Sequence, residues 1–283
     1  MSELSRVSSD QMLINMWLHG RTETTTGAYR HNADYFLSFV SKPLSQVALE
    51  DLQSYATHLE SSGIKDSSIR TKLNIIKSLF TFATKLNYVR FNVAAALRIP
   101  KADNSLAGRI LKQVEVLKLI EKGTKPGRDR ALFKLMYATG MRVSEACQLK
   151  WCDFYEQDGG EIQVTVLGKG SKTRTVLVPP VVWMQVEELR GESGVHEPVF
   201  KNSKGDFLDR TVAHRIIKNA AVVSGVNPKV SCHFLRHSHA THAIAKGAPL
   251  ALVRDSLGHS NIQTTDRYLH ANPTDSSSNY LGL

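Results

Sequence analysis

Cysteine is scarce in this chain: Cys147, Cys152 and Cys232 are the three among 283 residues. So few and so scattered, they exclude a disulfide framework and suit a reducing cytoplasm. Long apolar runs are missing as well, none approaching the roughly 20 residues that span a bilayer. The opening "MSELSRVSSDQ" lacks the charged-then-apolar layout of a secretion signal. There is no internal repeat, and the low-complexity content is one short tract, "NPTDSSSN". Aromatic residues make up 7%. What remains is an ordinary soluble composition, 42% hydrophobic and 22% charged, on a chain long enough to bury a sizeable core.

Positive charge is what the chain has in excess. Its net charge is +10 and its pI about 9.5. That suits a polyanionic partner, nucleic acid first and an anionic membrane second, and on charge alone it suits a basic but otherwise ordinary enzyme equally well. Residues 1–100 carry 11 Lys and Arg against 8 Asp and Glu, and the rest carry 25 against 18. Both parts are therefore basic, and one partner could touch both.

The first hundred residues read as helices. In "TTTGAYRHNADYFLSFV" the residues Tyr29, Ala33, Phe36, Leu37 and Val40 fall at helical spacing, and Lys42-Pro43 ends the run. "SQVALEDLQSYATHLESSG" has Ser45 as its expected cap and Gly63 as its stop. "DSSIRTKLNIIKSLFTFATKLNYV" places Ile69, Leu73, Ile76, Phe80 and Ala83 on one stripe, with Arg70, Lys72 and Lys77 elsewhere on the surface. The expected unit is a helical bundle with a basic outer face. "RIPKADNSLAGRI" then reads as a linker, centred on residues 101–108. Helical patterning resumes after it. It is interrupted by one strand signal, "EIQVTVLG" and "TRTVLVPP" around the turn "KGSK", a β-hairpin with Lys169 in or beside its turn. The whole is mostly α with a small β component.

The stretch "HFLRHSHATH" (233–242) holds four histidines and one arginine. His233 and His237 stand one turn apart, as a zinc pair would. A zinc site needs a third protein ligand of suitable type, there is no HExxH, and the permanent charge of Arg236 opposes a dication. The carboxylates are dispersed, which also leaves a two-metal nuclease unsupported. His233 and Arg236, three residues apart, share one helix face and together suit a phosphodiester, because guanidinium binds phosphate oxygens in pairs. In "ATGMRVSEACQL", Arg142 follows the helix-breaking Gly140. It either faces an anion or pairs with Glu145.

The motifs "TGMRVSE", "GKGSKTR", "HFLRHSHATH", "LGH" and "TTDRYLH", in this order, resemble the tyrosine recombinases of the phage integrase family over almost the whole chain. The resemblance implies a helical, SAM-like core-binding domain at 1–100 that clamps DNA together with an α+β catalytic domain at 109–283. It also implies the site residues. Arg142 and Arg236 would stabilise charge on the scissile phosphate, and Tyr268 would attack it to give a 3′-phosphotyrosine, with neither metal, cofactor nor ATP. His233 is the implied base or hydrogen-bond partner and His259 a phosphate hydrogen-bond donor. Lys169 is the general acid, with Lys172 as the alternative. Glu145 supports the first arginine. Arg70, Lys72, Lys77, Lys172 and Arg174 are candidate DNA contacts, whereas His237, His239 and His242 match no family role and are expected to pack or touch backbone phosphates.

The layout resembles the simple two-domain Xer-type recombinases, with a first helix beginning within about ten residues of the start. It implies a cytoplasmic protein that assembles as a homotetramer, or a hetero-tetramer with a related recombinase, on duplex DNA bearing a short inverted-repeat site. Residues 271–283 would dock on a neighbouring subunit. Two rivals use the same fold. A type IB topoisomerase would work as a monomer without sequence preference, but the chain has no large capping domain. A catalytically silent DNA-binding protein would not require all six catalytic positions to be filled by competent residues.

Overall fold

The computed structural model of the chain describes residues 8–100, 106–168, 172–259, 263–266 and 268. It divides into two compact units, Met1–Asn104 and Ser105–Leu283.

Among the described residues the first unit has four α-helices: α1 (Asp10–Leu18), α2 (Glu23–Val40), α3 (Leu49–Ser61) and α4 (Asp66–Lys85). Their apolar stripes converge on Leu13, Phe36, Tyr55, Leu73, Ile76 and Phe80, all fully buried. Phe36 packs edge-on against Tyr55 and Phe80, the arrangement aromatic quadrupoles prefer. Asp10 joins two distant segments, accepting from the Tyr88 hydroxyl at 2.7 Å and the Leu44 amide at 3.0 Å. The expected Ser45 cap is not the one used. Ser45 lies in a 3-10 turn, Leu44–Gln46, and α3 starts at Leu49, where the Asp51 carboxylate reaches back to the Ala48 amide at 2.8 Å. An acidic side chain three residues into the helix does the capping instead. Gly63, at φ +70°, follows the end of α3 as expected.

The second unit runs α5 (Gln113–Glu121), α6 (Arg128–Thr139) and the single turn α7 (Val143–Ala146) into a sheet. The sheet is β1 (Phe154–Glu156), β2 (Ile162–Leu167) and β3 (Thr173–Val178), antiparallel in the order β1-β2-β3. The β2–β3 hairpin pairs Ile162 with Val178 through to Leu167 with Thr173, and the Gly168 amide closes it onto the Lys172 carbonyl at 2.8 Å. The three-residue β1 has no counterpart in the sequence reading, being too short to show a period of two. Then follow α8 (Pro180–Glu187), α9 (Arg210–Ser224), α10 (Cys232–Ala245), α11 (Leu250–Leu257) and α12 (Gln263–Asp266). α10 packs against α6 and α11. The Ser238 hydroxyl on α10 accepts from the Leu111 amide at 2.9 Å, which fixes the entry to α5.

The fold is thus mostly α with one small sheet, a helical unit followed by an α+β unit. Among the described residues no helix is long and apolar enough to cross a membrane.

Candidate active site

The site is assembled on α10, where α6, β3 and α11 reach it. Gly140 ends α6 in the left-handed region at φ +65°, which turns its carbonyl toward α10. Gly258 ends α11 in the same way, at φ +64°. The guanidinium of Arg236 lies between these two helix ends. It donates from Nη1 to the Gly140 carbonyl and from Nη2 to the Leu257 carbonyl, both at 2.7 Å. Helix C-termini carry partial negative charge, so a cation is stabilised there. Arg236 is only 4% exposed, and burial, then the charge of Arg142, lowers its pKa to about 10, which leaves it charged at neutral pH.

Arg142 caps the start of α7 and is held by Glu145, which accepts from its backbone amide and from its Nη1, each at 2.7 Å. The sequence leaves open whether Arg142 pairs with Glu145 or faces an anion. The pairing is present, yet the side chain stays one-third exposed, beside an open cleft of about 920 Å³ that runs along Ser144, Thr165, Gly168 and Thr173. From β3, Arg174 completes the network, donating to both Glu145 oxygens and from Nε to the Ser256 carbonyl at 2.7 Å. Burial alone would raise the Glu145 carboxyl. The hydrogen bonds from Arg174 and Arg142 and the Arg174 charge outweigh it and hold the group below the usual carboxylate range. A Cβ at position 258 would stand 3.1 Å from Arg174 Cδ, so glycine is needed there for close approach as well as for its φ.

The four histidines of α10 sort by direction. His233 is the most exposed of the four, and partial burial, then the charges of Arg236, His214 and Arg142, press its pKa down. His237 meets Tyr268, with Nδ1 2.8 Å from the phenol oxygen. His239 and His242 face α6, where Nδ1 of the first contacts the Tyr137 carbonyl and Nδ1 of the second the Tyr137 hydroxyl, each at 2.8 Å. The sequence expectation for the last three is that they pack or touch backbone phosphates; His239 and His242 are bonded within the fold to Tyr137. Sequence reasoning passes over His237, although its place beside Arg236 and one turn from His233 is a usable signal. Among the described residues no three His, Cys, Asp or Glu side chains converge as a metal site requires.

Tyr268 is 3% exposed, its ring set among Leu106, Ala240, Val253 and Leu257. His259 lies parallel to it, ring centroids 6.4 Å apart, and its Nδ1 is 2.9 Å from the Thr265 hydroxyl of α12. Burial, then the charges of Arg236 and Arg142, drives His259 down to about 4, so it is neutral at physiological pH. Arg142, Glu145, His233, Arg236, His259 and Tyr268 all belong to this second unit. Lys169 lies outside the described residues, as does 269–283, while Lys172 is exposed on the hairpin. In the first unit, Lys72 bonds Asn32 and sits 5.1 Å from the Tyr35 ring centroid, and Lys77 donates to the Ala95 and Leu97 carbonyls. Arg70 is half-buried on the same helix.

Comparison with known proteins fits this arrangement. Residues 109–275 match the phage integrase family, and residues 9–88 match the phage integrase N-terminal SAM-like domain. The tyrosine recombinase XerC of Xylella fastidiosa (strain M23) is 32% identical over 276 residues, which is 94% of this chain and 92% of that protein. XerD of Chlorobaculum tepidum is 32% identical over 264 residues, 87% of this chain and 85% of its own. Two solved structures share the fold: the XerH site-specific recombinase in a post-cleavage complex with a palindromic difH substrate, and a lambda integrase dimer bound to a COC′ core site. The first has a TM-score of 0.76 at 23% identity, covering 95% of this chain and 83% of that one. The second also reaches 0.76, at 16% identity over 95% and 79%. The chain belongs to the phage integrase family, as a tyrosine site-specific recombinase of the Xer type.

Proposed function

We propose that the chain cuts and rejoins duplex DNA at a short inverted-repeat site, through Tyr268 and without metal or ATP. The observation that carries this reading is the pair of braced arginines, Arg142 on Glu145 and Arg236 on two helix-end carbonyls, in one unit with Tyr268 and His259. Fixed guanidinium groups offer preorganised positive charge where non-bridging phosphate oxygens gain negative charge in the transition state. Tyr268 Oη attacks phosphorus as the bond to the 5′-oxygen breaks, leaving a 3′-phosphotyrosine and a 5′-hydroxyl. The aryl ester conserves the bond energy, so a second 5′-hydroxyl can reverse the step on another strand. Lys169, with Lys172 as the alternative, protonates the departing 5′-oxygen. His233 hydrogen-bonds the phosphate or the incoming phenol, and His259, neutral and tied at Nδ1 to Thr265, offers Nε2 to the phosphate.

The first unit holds the flanking duplex, with Arg70 and Lys72 on its phosphates. Lys172 does so from the hairpin, whereas Lys77, which donates to two backbone carbonyls, and Arg174, bonded to Glu145 and Ser256, act as internal supports; Lys72 donates a single bond, to Asn32, and keeps donors for phosphate. The domain division follows: 1–100 for DNA holding, a linker at 101–108 and catalysis from 109 to 283. By analogy with the lambda integrase tetramer bound to a Holliday junction, four subunits, all alike or paired with a related recombinase, work together on DNA in the cytoplasm. Deleting 274–283 should then abolish recombination while leaving DNA binding intact.

The test is covalent trapping on genomic DNA of the source organism. Protein-linked fragments are captured after denaturation and their ends sequenced, with Tyr268→Phe in parallel. Tyr268-dependent ends concentrated at one inverted repeat support the proposal. Ends scattered without preference would sink it in favour of strand relaxation.

A further inference from the structure

We propose that His237 is the base that takes the phenol proton of Tyr268 as the tyrosine attacks phosphorus. This rests on the phosphoryl-transfer reading above, and it assigns a role to a residue that the sequence leaves among the packing histidines.

The geometry is direct. His237 Nδ1 and Tyr268 Oη are 2.8 Å apart, an ordinary hydrogen-bond separation and within the reach a general base needs. The rings are tilted at 44° with centroids 5.7 Å apart, so the contact is made through the polar atoms rather than by stacking. With its own proton on Nε2, His237 presents the Nδ1 lone pair, and the phenol donates into it. The apolar walls around Tyr268, Leu106, Ala240, Val253 and Leu257, hold the ring while the hydroxyl points at α10. The other ring nitrogens that are placed have different work. His259 Nδ1 is bonded to Thr265, His239 and His242 are bonded to Tyr137, and the His233 ring stands one turn back, 6.4 Å from that of His237.

The step balances. The Oη–H bond breaks and its proton goes to Nδ1 of His237. An Oη–P bond forms, the P–O5′ bond breaks, and the 5′-oxygen receives a separate proton from Lys169. The resulting imidazolium is formed next to the new phosphotyrosine, whose negative charge stabilises it, and it can return the proton when the strand is rejoined. His233, one turn away, is thereby left to the phosphate.

Two measurements test this. The first needs no DNA: ¹⁵N spectra of histidine-labelled full chain, with the His237 signals assigned by their disappearance in His237→Asn. An unprotonated Nδ1 whose shift changes in Tyr268→Phe is expected; a protonated Nδ1 overturns the assignment, whatever the chain does to DNA. The second follows covalent-adduct formation on sheared genomic DNA of the source organism, counted per DNA-bound protein. Both His237→Ala and His237→Asn should slow it by about 10²-fold or more, the usual contribution of a positioned base. Asparagine keeps a hydrogen-bonding atom near the Nδ1 position but cannot take the proton, so an asparagine variant within a few-fold of the parent overturns the proposal. On a recovered site carrying a 5′-bridging sulfur, which leaves without an acid, Lys169→Ala should regain its rate and His237→Ala should not. Recovery of both would overturn it. Absence of adducts from the parent chain would count against the recombinase reading, while the ¹⁵N result would still decide the hydrogen bond.

Discussion

Arg174 and Glu145 meet through two hydrogen bonds, Nη2 to Oε2 at 2.7 Å and Nη1 to Oε1 at 3.2 Å, while the same carboxylate also holds Arg142. One anion between two guanidinium groups makes Glu145 the piece whose loss is felt most, since removal leaves two cations facing each other. Breaking such a buried pair costs about 3–5 kcal/mol. Glu145→Ala is expected to lower the melting temperature by roughly 6–20 °C, given about 2–4 °C per kcal/mol for a domain of this size. Scanning calorimetry reads it. Arg174→Ala should approach the same loss, because its Ser256 hydrogen bond disappears as well. A change of under 2 °C in both would refute the buttress role.

Gly140 is strained for any other residue. Its φ is +65°, and a Cβ would stand 2.7 Å from both His239 Cδ2 and Leu257 Cδ2. Gly140→Ala is expected to cost about 2 kcal/mol from backbone strain and crowding. It should also slow adduct formation more than that loss of folded protein explains, because the carbonyl that positions Arg236 moves. Unfolding curves and adduct rates on the same preparation separate the two effects.

Four histidines, His233, His239, His242 and His259, are held below the ordinary value, each chiefly by burial. The unfolded chain takes up protons near the reference pKa of about 6.5, where the folded chain does not. Their contribution is therefore complete above that pH and is lost as pH falls, for His259 down to about 4. Melting temperature should decline from about pH 6.5 toward 5, before the carboxylates begin to titrate. The decline should be shallower in His259→Gln. A flat profile across this window would contradict the lowered histidine pKa values.

Phosphate-binding side chains and internal supports are separable by salt. Removing one phosphate-neutralising cation should reduce the slope of log K against log salt by about 0.9. Arg70→Ala and Lys172→Ala are expected to do so, with weakening that is uniform across DNA sequences. Lys77→Ala should leave the slope alone and instead cost about 1 kcal/mol of stability for each hydrogen bond it no longer makes to the Ala95 and Leu97 carbonyls. Filter binding over a salt series, with a urea melt of each variant, checks both.

Much of this molecule is legible in its sequence. Ala33 and Phe36, or Ile69, Leu73, Ile76 and Phe80, lie on the buried stripes that their helical spacing announces. The β2–β3 hairpin is equally plain, because alternation survives wherever one face is covered. What escapes is set by partners far along the chain. Asp51, not Ser45, caps α3, a choice that depends on where the helix actually begins. Arg174 reads as a basic residue on a hairpin until Glu145, 29 residues away, claims it. His237 and Tyr268 are 31 residues apart, and no local pattern joins a helix to a residue beyond the next one. Arg142 and Arg236 can be picked out by type and motif, but not the carbonyls that grip Arg236, since every residue has a carbonyl and only geometry selects two of them.

That last feature bears on how the site tolerates change over time. The grip on Arg236 consists of peptide oxygens at Gly140 and Leu257, so it contains no side chain that a single substitution can delete. Leu257 can drift among residues of similar bulk and still present the same oxygen. Only a change that re-routes the backbone, such as one at Gly140 or Gly258, can loosen the hold. The hold on Arg236 is thus written in main chain, in contrast to the hold on Arg142, which depends on the side chains of Glu145 and Arg174.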